Sequence, residues 1–166
     1  MMDTERTASP GANPGDEARF IEQFARLLEQ EGGPRIAGRI AALLLLSAEA
    51  LPLDEIAERL QASKASISTN ARMLEQWRLI ERVSHPGDRR DYYRARSDGA
   101  VNLLERRLDW MRRLRDVADA GAASEAAQHP EVRKRFETLC RLHGFALRNV
   151  ERTLRQLRRG ADAGQP

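Results

Sequence analysis

The side chains best suited to chemistry in this chain are hydrogen-bond donors and cations lying between residues 63 and 96. A first group runs Ser63, Lys64, Ala65, Ser66, Ser68, Thr69 and Arg72. A second occupies His85-Pro86-Gly87-Asp88-Arg89-Arg90-Asp91. Small side chains at the start of a helix let its axis approach base edges closely. Ser and Thr bond bases or phosphates, and an arginine at the position of Arg72 reaches guanine or the backbone. The free N–H groups of a helical first turn favour a phosphate, and Lys64 adds charge there. Gly87 permits a tight turn. Arg89, with Arg90 beside it, is the side chain to place in a minor groove, where negative potential is focused. Asp88 or Asp91 can brace Arg89 by a salt bridge. This chemistry is reversible recognition of a polyanion rather than bond breaking.

Two short helices and a hairpin must position these residues. Pro52 and Leu53 allow a short extended segment. Asp54 is a plausible N-cap for a helix to about Leu60, with Ile56, Ala57 and Leu60 facing inward. Ser63 is the next N-cap. Its helix carries Ile67, Ala71 and Leu74 at i, i+4 and i+7, which turns Ala65, Thr69, Arg72 and Gln76 outward with Ser66 and Ser68 on the flanks. Leu79–Val83 and Tyr92–Ala95 then read as strands joined by a tip from Ser84 to Asp91. That order is a helix-turn-helix with a β-wing, a shape that inserts one helix into a DNA major groove.

The flanks are helical. Residues 1–15 form a polar tail expected to be disordered. A helix over residues 16–33 places Phe20, Ile21, Phe24, Leu27 and Leu28 on one face, and Gly32-Gly33-Pro34 ends it. A second runs from about Arg35 to Ser47, with Ile36, Ile40, Leu43 and Leu44 as its core stripe and Leu45 and Leu46 widening it. Ser97 or Asp98 caps a long helix to about Val117, whose inward residues are Val101, Leu104, Leu108 and Met111. An Ala-rich stretch interrupted by Gly121 follows. Pro130 opens a last helix to about Arg159. There Val132, Phe136, Leu139, His143, Ala146, Val150, Thr153 and Leu157 alternate four and three apart, a heptad-like seam. Such a seam suits a dimer interface better than packing within one chain. The expected organisation is therefore a tail (1–15), an N-terminal dimerisation or packing helix (16–33), a winged helix-turn-helix DNA-binding domain (34–96), a C-terminal helical dimerisation region (97–160) and a disordered tail (161–166). The fold class is mainly α.

Charge patterning agrees. The net charge is only +3, but residues 1–33 hold seven acids and three bases, whereas residues 63–96 hold eight bases and four acids, and residues 133–159 nine bases and two acids. A locally basic surface suits DNA, although for residues 133–159 a solvated helix face fits as well. Lysine occurs only at Lys64 and Lys134. The arginine bias suits bidentate bonds to phosphate and guanine, and equally a GC-rich genome. A lone Cys140 excludes an intramolecular disulfide and a Cys/His metal cluster. His85, His129 and His143 are scattered, so no metal is expected. The sequence shows no apolar leader and no run long enough to span a bilayer, so a cytoplasmic protein without membrane contact is expected. No nucleophile–base pair, phosphate loop or cofactor motif occurs at a recognisable spacing, which argues against an enzyme and against a bound cofactor.

Residues 34–96 resemble the MarR-type winged-helix regulators, and within them the GbsR-like branch. The motifs that carry the resemblance are Pro34-Arg35-Ile36-Ala37-Gly38-Arg39, Ser63-Lys64-Ala65-Ser66-Ile67-Ser68 and Pro86-Gly87-Asp88-Arg89. The resemblance implies a homodimer whose two recognition helices read a pseudo-palindromic operator in double-stranded DNA, with Arg89 as the minor-groove residue. It also implies modulation by a small effector. For the GbsR-like branch this would be choline or a related quaternary ammonium, which needs an aromatic cage; Trp110, Phe20 and Phe24 are the first candidates. The sequence departs from such regulators at Arg78, where Gly often follows the aromatic that ends the recognition helix. The rival reading is a winged helix that binds protein and not DNA.

Overall fold

The structure, a computed structural model, describes residues 14–163. The expected disorder of residues 1–13 and 164–166 lies outside the described residues. The chain divides into two compact units at the Arg96–Ser97 junction.

In the first unit, helix α1 (Pro14–Gln30) precedes α2 (Arg35–Leu45), strand β1 (Leu51–Pro52), α3 (Leu53–Arg59), α4 (Lys64–Gln76) and the strands β2 (Ile80–Val83) and β3 (Tyr92–Ala95). The strands form an antiparallel sheet in the order β1-β3-β2. Leu51 lies opposite Tyr93, and Ile80 opposite Ala95. The first turn of α1 thus includes Pro14 and Gly15, which the sequence had left in the tail.

The core of this unit forms where α2 and α4 pack together. Ile40, Leu44, Ile56, Ile67 and Leu74 are its largest fully buried side chains. They come from apolar stripes of helical period, and burying a side chain of this size stabilises the fold by about 1.5–3 kcal/mol. Two expectations about these stripes fail. Leu45 and Leu46 are exposed, because α2 stops at Leu45 and its buried stripe is already complete at Leu44. On α1 the inward face is Ile21, Phe24, Ala25 and Leu28, while Phe20 and Leu27 point outward. The small residues decide this. A Cβ on Gly38 would lie 2.6 Å from the Cα of Ala25, so α1 and α2 meet backbone to backbone at that pair and the helix face is rotated toward it. Glu22 locks the crossing by accepting from Arg35 at 2.7 Å and from Arg39. The Arg35 and Arg39 guanidiniums hold the Glu22 carboxyl below the usual range.

In the second unit, α5 (Gly99–Ala122), a short 3-10 turn (Glu125–Gln128) and α6 (Pro130–Ala163) form a helical hairpin. Asp98 is the N-cap residue of α5, although its side chain makes no capping bond. Both helices outrun their expected ends, α5 by a turn and α6 by four residues beyond Arg159. Leu108, Met111 and Ala118 of α5 and Leu154 of α6 are buried. The ion pairs Arg112–Glu151 (2.9 Å) and Arg158–Glu105 bridge the helices. The Phe136 ring packs on Gly121, where a Cβ would lie 2.5 Å from it. The heptad-like seam is split between two tasks: Val132, Phe136, His143 and Val150 are half-buried, while Leu139, Thr153 and Leu157 are exposed. No helix among the described residues is long and apolar enough to cross a membrane.

Candidate nucleic-acid interface

Helix α4 begins as its sequence requires. Ser63 is the N-cap, and its Oγ accepts the Ser66 N–H at 3.2 Å, which satisfies one of the orphan donors of the first turn. Ile67, Ala71 and Leu74 anchor the inner face in the core. Ala65, Thr69, Arg72 and Gln76 are therefore all exposed, with Ser66 and Ser68 partly covered at the edges. The preceding helix is capped otherwise than expected: α3 starts at Leu53, Pro52 is the N-cap residue, and Asp54 sits in the first turn. There Asp54 accepts an ion pair from Lys64 at 2.7 Å, tying the start of α4 to α3.

The outer face of α4 carries its own preorganisation. Arg72 Nη2 donates to Ser68 Oγ at 3.0 Å, one turn earlier. Asn70 Nδ2 donates to the Ser66 carbonyl at 2.9 Å. The arginine is thereby directed along the exposed face, and a directed guanidinium loses less freedom on meeting a base or a phosphate.

The wing tip corrects one expectation. Neither Asp88 nor Asp91 braces Arg89. Asp88 instead accepts from Arg90 through both Nε (2.9 Å) and Nη2 (2.6 Å), from the Arg90 backbone N–H (2.9 Å), and from the Tyr92 hydroxyl (2.8 Å). Asp91 pairs with Arg82. Four donors on one carboxylate, the Arg90 guanidinium foremost, hold Asp88 well below the usual carboxylate range. The same bond pushes the Tyr92 hydroxyl up. His85 meets the Tyr92 ring edge-on at 4.4 Å, and the Arg90 guanidinium lies 5.3 Å from its centroid. The tip is thus a closed knot around Tyr92, turned at Gly87 with φ +80°. Arg89 projects from it exposed and makes no hydrogen bond or ion pair among the described residues. Below the tip, Glu81 collects Arg94 (2.6 Å) and Arg96 (3.1 Å) across the β2–β3 pair.

Sequence reasoning missed the roles of Tyr92 and Glu81, and the bond by which Ser68 directs Arg72. Tyr92 reads as a strand residue and as one more aromatic candidate for the cage. Its only signal is position: four residues after Asp88 and the first residue of the returning strand. The Ser68–Arg72 pair was available from its i, i+4 spacing.

The effector candidates fall in different units. Phe20 and Phe24 are neighbours on α1, with ring centroids 6.0 Å apart. Trp110 lies on α5, where the Arg107 guanidinium covers it at 4.8 Å and His143 approaches at 6.5 Å. The buried Nδ1 of His143 has no hydrogen-bond partner among the described residues. Among the described residues no cluster of His, Cys, Asp and Glu could hold a metal. Cys140 Sγ donates to Asp119 at 3.3 Å. Burial first, and then that bond, pushes its thiol up, the opposite of what a reactive thiolate needs.

Comparison with known proteins agrees with this geometry. The MarR family model matches residues 26–91. The chain is similar to the HTH-type transcriptional regulator MmpR5 of Mycobacterium tuberculosis, with 37% identity over 130 residues that make up 78% of each chain. It is similar to the HTH-type regulator YvaV of Bacillus subtilis at 28% identity, over 49% of this chain and 46% of that one. A crystal structure of a transcriptional regulator superposes with a TM-score of 0.71 at 33% identity, covering 87% of this chain and 99% of the other.

Proposed function

The chain belongs to the MarR family of winged-helix, DNA-binding transcriptional regulators, and from that premise we propose that it acts as a homodimer on a pseudo-palindromic operator. In this reading α4 enters the major groove, with Ser63, Lys64, Ala65, Ser66, Ser68, Thr69 and Arg72 on the DNA side, and Arg89 enters the adjacent minor groove. The observation that carries it is the division of labour at the wing: Arg90 is clamped by Asp88 while Arg89 is left unpaired. Arg90 then serves chiefly to hold the tip in shape. The homodimer is supported by the apolar side chains that the α5–α6 hairpin leaves exposed, among them Trp110, Val117, Leu142 and Phe145. A cytoplasmic site of action accords with this role.

The test is titration onto DNA from upstream of the protein's own gene, against scrambled DNA, at two salt concentrations. Preferential, salt-sensitive binding with two protomers per site is expected. Arg89→Ala should weaken it about tenfold, the loss of one good groove contact. Unchanged affinity in Arg89→Ala, or no binding by the wild type at low salt, favours the protein-interaction module instead. Arg72→Ala should relax sequence preference if it reads a base. If it meets only phosphate, affinity falls equally on all sequences and the salt slope shrinks. The finer GbsR-like reading adds a choline-like effector. Choline titrated into the protein–operator complex should shift its affinity, and an unmoved binding curve removes that effector class.

A further inference from the structure

Helices α5 and α6 face each other through a ladder of charges. Glu105, Asp109 and Arg112 stand four and three apart on α5. Glu151, Arg155 and Arg158 do the same on α6, so each trio lies on one helix face. The outer rungs are closed: Arg158 pairs with Glu105, and Arg112 with Glu151 at 2.9 Å. The antiparallel register of those two pairs sets Asp109 opposite Leu154 and Arg155 opposite Leu108, and both leucines are buried. The middle rung is therefore open. Asp109 has the 3.4 Å contact from Arg112, its neighbour on the same helix, and Arg155 makes no hydrogen bond or ion pair among the described residues. The outer rungs are seven residues apart, so the gap between them is about 10 Å long. A groove of about 380 Å³ occupies it, lined by the six charged side chains with Leu108 and Leu154 at its base.

We propose that this groove binds a small zwitterion, a free α-amino acid with an apolar side chain. Its ammonium meets Asp109, its carboxylate meets Arg155, and its side chain lies on Leu108 and Leu154. The ligand class follows from the lining. Three carboxylates balance three guanidiniums, so the groove favours neither a net anion nor a net cation. The two groups that no partner bridges are opposite in sign and stand on opposite helices, so a ligand satisfies both only by carrying both charges. A guanidinium takes a carboxylate through two parallel bonds, and a carboxylate accepts from an ammonium. The closed outer rungs hold Arg112 and Arg158 on their own acids and fix the spacing of the helices around the gap. The volume falls within the roughly 300–1,000 Å³ of small-molecule sites. Every lining residue belongs to the second unit, so the site stands independently of the DNA-binding reading.

The experiment is calorimetric titration of the full-length protein, without DNA, with three probes. L-leucine carries both charges, leucinamide lacks the carboxylate, and N-acetyl-leucine lacks the ammonium. Leucine should bind saturably, one per chain, and each analogue should bind about tenfold more weakly, the loss of one charged hydrogen-bonded contact. Asp109→Asn and Arg155→Gln should each weaken leucine by a similar factor. Arg155→Gln should also erase the advantage of leucine over leucinamide, and Asp109→Asn its advantage over N-acetyl-leucine. Both side chains are exposed, and helicity measured alongside reports whether the variants fold. Either analogue binding as tightly as leucine overturns the zwitterion. Undiminished leucine binding in both variants, or no saturable binding by the wild type, overturns the site. None of these outcomes bears on the regulator reading, which the DNA titration tests separately.

Discussion

The two units of this protein spend their apolar residues differently. In residues 14–96 the large aliphatic side chains Ile40, Leu44, Ile56, Ile67 and Leu74 are fully buried. The cations of the candidate interface are mostly held by nearby acids: Lys64 by Asp54, Arg82 by Asp91, Arg90 by Asp88, and Arg94 by Glu81. In residues 97–163 the hairpin buries one face and leaves Trp110, Val117, Leu142 and Phe145 in solvent. The first unit has a closed core, although Phe20, Leu27, Leu45 and Leu46 at its surface stay exposed. The second leaves large apolar side chains of both helices in solvent, the kind of surface that marks an interaction site. The core under α4 can therefore hold by itself, while the proposed homodimer would make the stability of the hairpin depend on protein concentration.

The contrast is broken most directly by cutting into each unit in turn. Ile67→Ala should cost about 3 kcal/mol in urea denaturation, the sum of lost transfer energy and a cavity at a fully buried site. Leu142→Ala should cost well under that in dilute protein. A large loss in dilute Leu142→Ala would show that the hairpin buries this face within one chain. The next effect in size is at the α1–α2 crossing. Gly38→Ala puts a methyl 2.6 Å from a backbone carbon and should destabilise by about 2 kcal/mol. Ala is otherwise the better helix former, so a neutral result would mean that the two helices can slide apart freely.

How far the fold was legible in the sequence follows the same division. Ile67, Ala71 and Leu74 specify the buried face of α4 by spacing alone, and the exposed Ala65, Thr69 and Arg72 follow by geometry. The wing strands were legible to within a residue, because Gly87 and the β-branched and aromatic ends bound them. What stayed hidden depends on contacts between distant or competing residues. Nothing local shows that Phe20 faces outward while Ala25 faces in; that is decided by Gly38 on another helix. Nor could spacing choose between Arg89 and Arg90 as the partner of Asp88. In the structure the Arg90 guanidinium and backbone N–H both reach Asp88, and the Tyr92 hydroxyl joins them on the same carboxylate. The seam of α6 was read as a single interface, yet its residues divide between the partner helix and solvent, since heptad spacing does not say which neighbour it meets.

A smaller effect separates the wing from the rest of the first unit. Asp88 and Glu22 both titrate below their unfolded values because arginines hold their charged forms. Their contribution is fully present above the ordinary carboxylate range, roughly pH 4 and higher, and is lost as pH falls through the depressed values of the folded state. Asp88→Asn should flatten the acid limb of wing order, read by protease nicking at Arg89 or Arg90, and leave the α1–α2 crossing unchanged. Equal acid sensitivity in Asp88→Asn and wild type would remove the knot as the cause.

The smallest expected change has the opposite sign. Helix α4 ends in a Schellman motif: the Arg78 N–H donates to Glu75 at 2.8 Å and the Leu79 N–H to Leu74 at 3.0 Å. The motif forces Arg78 to φ +56°, a left-handed conformation that costs an L side chain about 1–2 kcal/mol. Helix α4 thus has the cap that a glycine would make, with an arginine in its place. Arg78→Gly should raise stability by roughly 0.5–1 kcal/mol, the relieved strain less the extra freedom glycine gains in the unfolded chain. Gln61 closes α3 in the same way at φ +51°, so Gln61→Gly is the control for a purely conformational gain. If Gln61→Gly stabilises and Arg78→Gly does not, the Arg78 side chain contributes contacts that offset its strain. Its retention at the end of α4 would then be a matter of stability, and operator affinity in Arg78→Gly should stay unchanged.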